Sequence, residues 1–250
     1  MTEKPGHFLD RDQTRIEWAA DTLSVISKKE GLIVKIIPCI VLATGLAGSF
    51  SAMAQQPEGN WMVRFRATNL DMKNSSDAGS GALTPALLPS DAVKASDKTI
   101  PEVDISYFFT PNWAAELVLT IPQKHNVRIS QGPLTESIGS FKHLPPTLLM
   151  QYHFNPGGEL RPYVGAGINY TAISSVRLRS TIAGADLQLE SKSIGAAFQV
   201  GADYKLQNNW FLNVDLKKIY IDTDIKVNGN KSSHLNLDPL ALSIGIGKRF

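Results

Sequence analysis

Cysteine is nearly absent from this chain: Cys39 is the only one in 250 residues. That count excludes a disulfide framework and a cysteine-based metal site. An excess of one charge is missing too. The 25 Lys and Arg stand against 23 Asp and Glu, a formal net charge of +2. No basic run exceeds a pair, so there is no electrostatic footprint for nucleic acid. Long hydrophobic runs are scarce. A mean hydropathy of -0.09 excludes a helical protein with several membrane spans. It does not exclude a barrel, whose strands average an apolar and a polar face. Catalytic spacings are lacking as well. No H-x-x-E-H, H-E-x-x-H or G-x-S-x-G occurs, and His125, His143, His153 and His234 are scattered. Gly165-Ala166-Gly167 is not a phosphate loop, because no helix follows it. The residues imply no enzyme, no cofactor and no metal.

The one long uncharged stretch is Ile36–Pro57. Lys28, Lys29 and Lys35 precede it, Ile36–Gly48 is its apolar heart, and Ala52-Met53-Ala54 fits a small-residue cleavage site. Basic, then apolar, then small residues read as a secretory signal peptide. Residues 1–54 are therefore expected to be a leader and signal peptide, cleaved after Ala54, with 55–250 as the mature domain. An uncleaved anchor is the alternative; Pro38, Gly45 and Gly48 speak against it. The mature chain would hold no cysteine, which suits an oxidising periplasm. The first 27 residues carry no recognisable role, and a start codon set too far upstream accounts for them most simply.

Alternation is what the rest of the chain has. In Thr147–Phe154, Leu148, Met150, Tyr152 and Phe154 fall on one face, and Thr147, Gln151 and His153 on the other, with Leu149 the apolar exception. After Asn155-Pro156-Gly157-Gly158, Arg161–Tyr170 alternates again. A period of two means strands, and the Pro/Gly cluster between them means a hairpin. Further strands are expected over 61–68, 99–108, 113–121, 193–204 and 210–217, with a last one ending at Phe250. The phase is ambiguous at Lys218–Ile221, where either a bulge or a snorkelling Lys218 would fit. Eight strands need seven connections, and these run long, short, long, short, long, short, long. The long ones, about 71–97, 122–146, 172–190 and 223–236, read as polar surface loops. The fold class is all-β, an eight-stranded antiparallel transmembrane β-barrel with short periplasmic turns and long extracellular loops.

The aromatics agree with a barrel in lipid. Trp61, Trp113 and Trp210 open strands leaving the periplasmic side; Tyr107, Phe154, Tyr204 and Phe250 close strands returning to it. All seven fall on the outward face, where an amphipathic ring suits the headgroup level. Packing at strand ends is the competing explanation for any single one of them.

The runs KHLPPTLLMQYHF (Lys142–Phe154) and RPYVGAGINYT (Arg161–Thr171) resemble the OmpW family of bacterial outer-membrane proteins. WMVRFRATN near Trp61 and the Arg249-Phe250 ending are weaker echoes, and the resemblance covers most of the chain after residue 60. It implies an eight-stranded barrel in the outer membrane of a Gram-negative bacterium, with outer-membrane lipid around it, passing small hydrophobic solutes. The terminal Phe250 resembles the recognition signal of the barrel-assembly machinery in the carboxy-terminal strand, although Lys248 replaces the usual aromatic two places before it.

A barrel of eight strands is just wide enough for side chains to fill. The expected inward set holds both signs: Arg64, Arg66, Glu102, Asp104, Glu116, Arg161, Asp203, Asp215, Lys217 and Arg249. These can pair and plug the interior. Met62, Leu149, Ile219 and Ile221 are apolar inward residues, either packing or lining a pocket for an apolar ligand. Pro122, Pro145 and Pro146 should face each other near the outer rim, and none has an N–H for the ladder. The wall should loosen there and let an apolar solute leave sideways. The competing readings are a structural or adhesive barrel with a packed lumen and an outer-membrane lipid-modifying enzyme.

Overall fold

The computed structural model describes residues 58–181 and 184–250. The leader, the signal peptide and the cleavage site lie outside the described residues.

Eight strands close a barrel. They are β1 (Trp61–Asp71), β2 (Lys98–Phe108), β3 (Trp113–Thr120), β4 (Thr147–His153), β5 (Leu160–Ser180), β6 (Lys192–Lys205), β7 (Trp210–Ile219) and β8 (Leu240–Arg249). Each pairs antiparallel with the next, and β8 returns to β1 with Met62 opposite Arg249 and Asp71 opposite Leu240. Closure leaves none of the eight as a free edge.

Alternation sorts the side chains as the sequence implies, and the sorting is inverted relative to a water-soluble barrel. Phe65, Leu148, Ile168, Ile194, Val200 and Ile244 are exposed on the outer wall. Arg64, Asp104, Glu116 and Lys217 are fully buried inside. A continuous exposed apolar wall marks a surface made for lipid, and a polar interior is the usual complement of it. The region Lys218–Ile221 needs no bulge. Buried and outward residues keep alternating through Ile221, Lys218 points outward over the Tyr220 ring at 5.5 Å, and no register shift interrupts β7.

The long connections depart from the expected polar loops. The connection 121–146 is a β-hairpin of Gln123–Gln131 and Leu134–Leu144, whose second strand pairs with the upper part of β5. Residues 172–180 continue β5, and Ala185–Leu189 folds back against it. Asp222–Val227 and Asn230–Asn236 form another hairpin. The wall therefore rises beyond the apolar band as a β-extension. Its inward residues turn apolar with height, Gln123, His125 and His143 giving way to Val127, Ile129 and Ile138, while Lys124, Asn126 and Arg128 face water. The connection 72–97 is not a surface loop either. Leu83 and Leu88 are fully buried in the barrel mouth, together with Met72 and Val93.

Candidate functional site

Two regions of the interior matter. The lower one, towards the short turns, is a polar plug. Arg64 is its centre because β1 brings it opposite Asp104 of β2 and Gly247 of β8. Its guanidinium donates to Asp203 at 2.7 and 3.1 Å, to Glu116 at 2.8 Å and to the Ser106 hydroxyl at 2.7 Å. Arg66, one inward position higher, faces Asp104 at 3.1 Å, Glu102 at 3.4 Å and Asp215 at 3.7 Å. Lys217 donates to Glu102 and Asp215, both at 2.8 Å. All ten charged residues expected inside are buried there.

Tyr163 knits the plug together. Its hydroxyl donates to Asp215 at 2.8 Å and accepts from Asn213 at 3.0 Å and Arg66 at 3.3 Å. Gly201 leaves room for it, since a Cβ there would stand 2.4 Å from that hydroxyl. Glu58 closes the bottom. Arg161 grips it with two bonds at 2.5 and 2.7 Å, and Lys205 and Arg249 approach at 2.5 and 3.0 Å. Burial opposes ionisation of Glu58, but the bonds and charges of Arg161 and Lys205 outweigh it and hold its pKa near 2. Six cations (Arg64, Arg66, Arg161, Lys205, Lys217, Arg249) thus meet six carboxylates (Glu58, Glu102, Asp104, Glu116, Asp203, Asp215). Glu58 and Tyr163 were not singled out from the sequence. Tyr163 was on the inward face by phase; Glu58 precedes the first strand and gave no signal.

The upper region is apolar. Leu149, Ile219 and Ile221 belong to one buried cluster with Phe141, Leu83 and Leu88. Met62 does not join them: it packs with Phe108 and Phe211 inside the plug, opposite Arg249 and one inward position below Arg64. At the rim an open groove of about 440 Å³ is lined by Ile138, Val176, Leu178 and Leu187, with Arg177, Arg179, Asp186 and Gln188 beside them.

The wall of this upper region has an interruption. The ladder between β3 and β4 ends at Val118 opposite Thr147 and resumes only at Gln123 opposite His143. Pro122 lies in one side of the gap, and Pro145 and Pro146 in the other. The Pro145 and Pro146 carbonyls accept from Asn169 Nδ2, each at 3.2 Å, and Pro146 also accepts the Tyr170 N–H at 3.0 Å. Those bonds run towards β5 and away from β3.

Beside the gap, buried polar atoms lack partners. They are Thr120 Oγ1, His125 Nε2 and both ring nitrogens of His143. The two imidazoles stack at 4.6 Å, and His125 Nδ1 bonds the Ser96 carbonyl at 2.6 Å. Both histidines sit in the extension hairpin, not in a surface loop as composition suggested. Burial, then the neighbouring His125 charge, pushes the His143 pKa down to about 3; burial likewise lowers that of His125. Both rings are neutral near pH 7.

Outside, Trp61, Trp113, Phe154, Tyr204, Trp210 and Phe250 are exposed, and Tyr107 is half-buried. Edge-on contacts link Trp61 to Tyr107 at 4.9 Å and Trp113 to Tyr152 at 5.0 Å. Tyr152 and Phe109 extend the same set, through contacts to Phe154 and Tyr107.

With this geometry in place, the comparisons with known proteins are specific. The family model of the OmpW family matches residues 57–250. Outer membrane protein W of Vibrio cholerae is 32% identical over 218 residues, covering 84% of this chain and 97% of that protein. A Pseudomonas aeruginosa protein named for a dibenzothiophene metabolism operon is 28% identical over 202 residues, 77% of this chain and 90% of that one. The crystal structure of OprG from Pseudomonas aeruginosa superposes with a TM-score of 0.66 at 28% identity, covering 78% of this chain and 98% of that chain.

Proposed function

This chain belongs to the OmpW family and is an outer-membrane β-barrel, and from that premise we propose that it gives small hydrophobic molecules a passive route through the outer part of the membrane and then sideways into the bilayer. The observation that carries the proposal is the break in the β3–β4 ladder at Pro122, Pro145 and Pro146, which opens beside an apolar interior and above a charged plug. An apolar solute gains by moving from water into the upper region, at about 25 cal/mol for each Å² buried. It meets carboxylates and guanidinium groups if it goes further down. The favourable way out is lateral.

Entry is through the groove at Ile138 and Leu178, past Leu83 and Leu88 of the first connection, which must move aside. Leu149, Ile219 and Ile221 line the chamber, whereas Met62 lies down within the plug and off the route. The aromatic collar sets the depth at which the barrel floats, with its rings at the headgroups and its edge contacts keeping them there. A relative named for a dibenzothiophene operon is consistent with an apolar cargo. The family is one of outer-membrane barrels not known as enzymes; His125 and His143 are stacked in the wall without a nucleophile or a carboxylate bonded to them, and His234 bonds Asp224 at 2.7 Å with no nucleophile bonded to it.

The test is to give the ladder back its donors. Pro145→Val with Pro146→Val is expected to slow uptake of a labelled apolar solute into proteoliposomes several-fold, without changing barrel stability much. Unchanged uptake would sink the lateral route. Equal uptake by protein-containing and protein-free liposomes would instead favour a barrel that is only structural.

A further inference from the structure

The outward face of the β-extension carries a cluster of cations that pair with no carboxylate among the described residues. Lys94 lies directly opposite Arg128, and Lys124 directly opposite Lys142. Ser140, beside them on the same hairpin, is opposite Arg177 of β5. Paired residues across a ladder point to the same face, with Cβ atoms roughly 4.5–5.5 Å apart, and like charges so placed destabilise a sheet. All five side chains are exposed. None forms an ion pair among the described residues. The carboxylates of the same connections are already engaged: Asp97 accepts the Met72 N–H, Asp91 the Ser76 N–H, and Glu136 bonds Ser180 and Thr181. Between the cations, the outward residues are Asn126, Ser137, Ser140 and Ser174, and the exposed carboxylate beside Arg177, Asp186, is paired with Arg179 at 3.7 Å.

Its height decides what could sit on it. Ile121, exposed on the outer wall, is three residues below Lys124. At about 3.3 Å of rise for each residue and a strand tilt of about 40°, Lys124 stands on the order of 7–8 Å above Ile121. That is the headgroup layer of the outer leaflet, which in a Gram-negative outer membrane is built from phosphorylated glycolipid. Lys and Arg groups bind phosphate through charge-assisted hydrogen bonds, and clustered cations next to a membrane surface attract anionic headgroups.

We propose that this face, formed by Lys94, Arg128, Lys124, Lys142 and Arg177, is a binding site for the phosphate groups of the surrounding outer-leaflet glycolipid. The bound phosphates supply the missing counter-charge between the paired cations and fasten the extension hairpin to the lipid. The proposal is independent of solute passage.

The full-length barrel is placed in nanodiscs of phosphatidylcholine alone, with lipid A, or with dephosphorylated lipid A. Two double variants are compared with it, Lys124→Ser/Lys142→Ser and Lys94→Ser/Arg128→Ser. Readouts are the thermal unfolding midpoint and the lipid retained in native mass spectrometry. In phosphatidylcholine the variants should unfold at or above the wild-type temperature, because repulsion is relieved. With lipid A the order should reverse, and wild type should retain lipid A over its dephosphorylated form, with about a fivefold loss for each cation removed. The preference should weaken as salt is raised towards 1 M. The proposal is overturned if the order does not reverse, if the dephosphorylated lipid serves as well, or if inorganic phosphate in phosphatidylcholine discs gives the whole effect.

Discussion

The lower and upper halves of the barrel interior fill the same narrow cylinder with opposite chemistry. Below, Arg64, Arg66 and Lys217 are each held by two or more carboxylates, and where Arg66 Nε, both Asp104 oxygens and Asn213 Oδ1 make no hydrogen bond, opposite charges still face each other, as Arg66 and Asp104 do at 3.1 Å. Above, Leu149, Ile219 and Phe141 pack against Leu83 and Leu88, and His143 is left without a single bond. A paired network of charges is rigid because removing one member strands the others. An apolar interior closed by a connection is easier to part, because its contacts are many, weak and non-directional. On the proposed route the lower half stays shut and the upper half opens.

The sharpest way to break that contrast is Arg64→Met. It leaves Glu116 and Asp203 buried without their main partner. The expected loss is about 3–5 kcal/mol in urea unfolding from lipid vesicles. A loss below about 1 kcal/mol would mean that the plug contributes little rigidity, and the contrast would fail.

Leu88→Ala attacks the upper half. Its cost should be about 2–3 kcal/mol, at the low end for a buried leucine because a connection can collapse into the space. Hydrogen exchange should quicken in residues 72–97 and in the extension hairpin, and not in β1 below Arg66. Faster exchange throughout the barrel would show that the two halves are one cooperative unit.

The same division explains what could be read from the amino acids alone. In lipid the outward face must be apolar, so a period of two is visible and places Arg64, Asp203 and Lys217 inside without a structure. Which of them meet is another matter. Arg64 and Asp203 are 139 positions apart, and nothing local announces their pairing. Above the bilayer the outward face meets water and turns polar. There Lys124, Asn126 and Arg128 alternate with His125, Val127 and Ile129, and the hairpin looks like loop by composition even though its period is two. Leu83 and Leu88 were hidden for a related reason: two leucines among Gly, Ser and Pro carry no periodicity at all. Proline is read in another way, because it acts through its own backbone: wherever it stands, it offers a ladder no N–H.

Glu58→Gln tests the floor of the plug. Glu58 is partly open to water, so the loss should be only about 1 kcal/mol. The pH dependence gives the sign. Its pKa falls from 4.5 to about 2 on folding, so its contribution is complete above pH 4.5 and disappears as the pH drops towards 2. Wild type should lose stability across that window, and the variant should lose less.

His143→Phe should have the smallest effect, and the opposite sign. Two ring nitrogens of His143 are buried with no partner, and phenylalanine of similar shape can stack on His125 and Phe141 without that cost. A gain of up to about 1 kcal/mol is expected. Burial also holds the folded His143 pKa near 3 against 6.5 when unfolded, so the unfolded chain binds more protons between those values. The hairpin is therefore fully stable above pH 6.5 and loosens as the pH falls, an effect the variant should reduce. If acid leaves hydrogen exchange in residues 123–144 unchanged in wild type, the histidine is not held neutral, and the upper half is wetter than its apolar lining suggests.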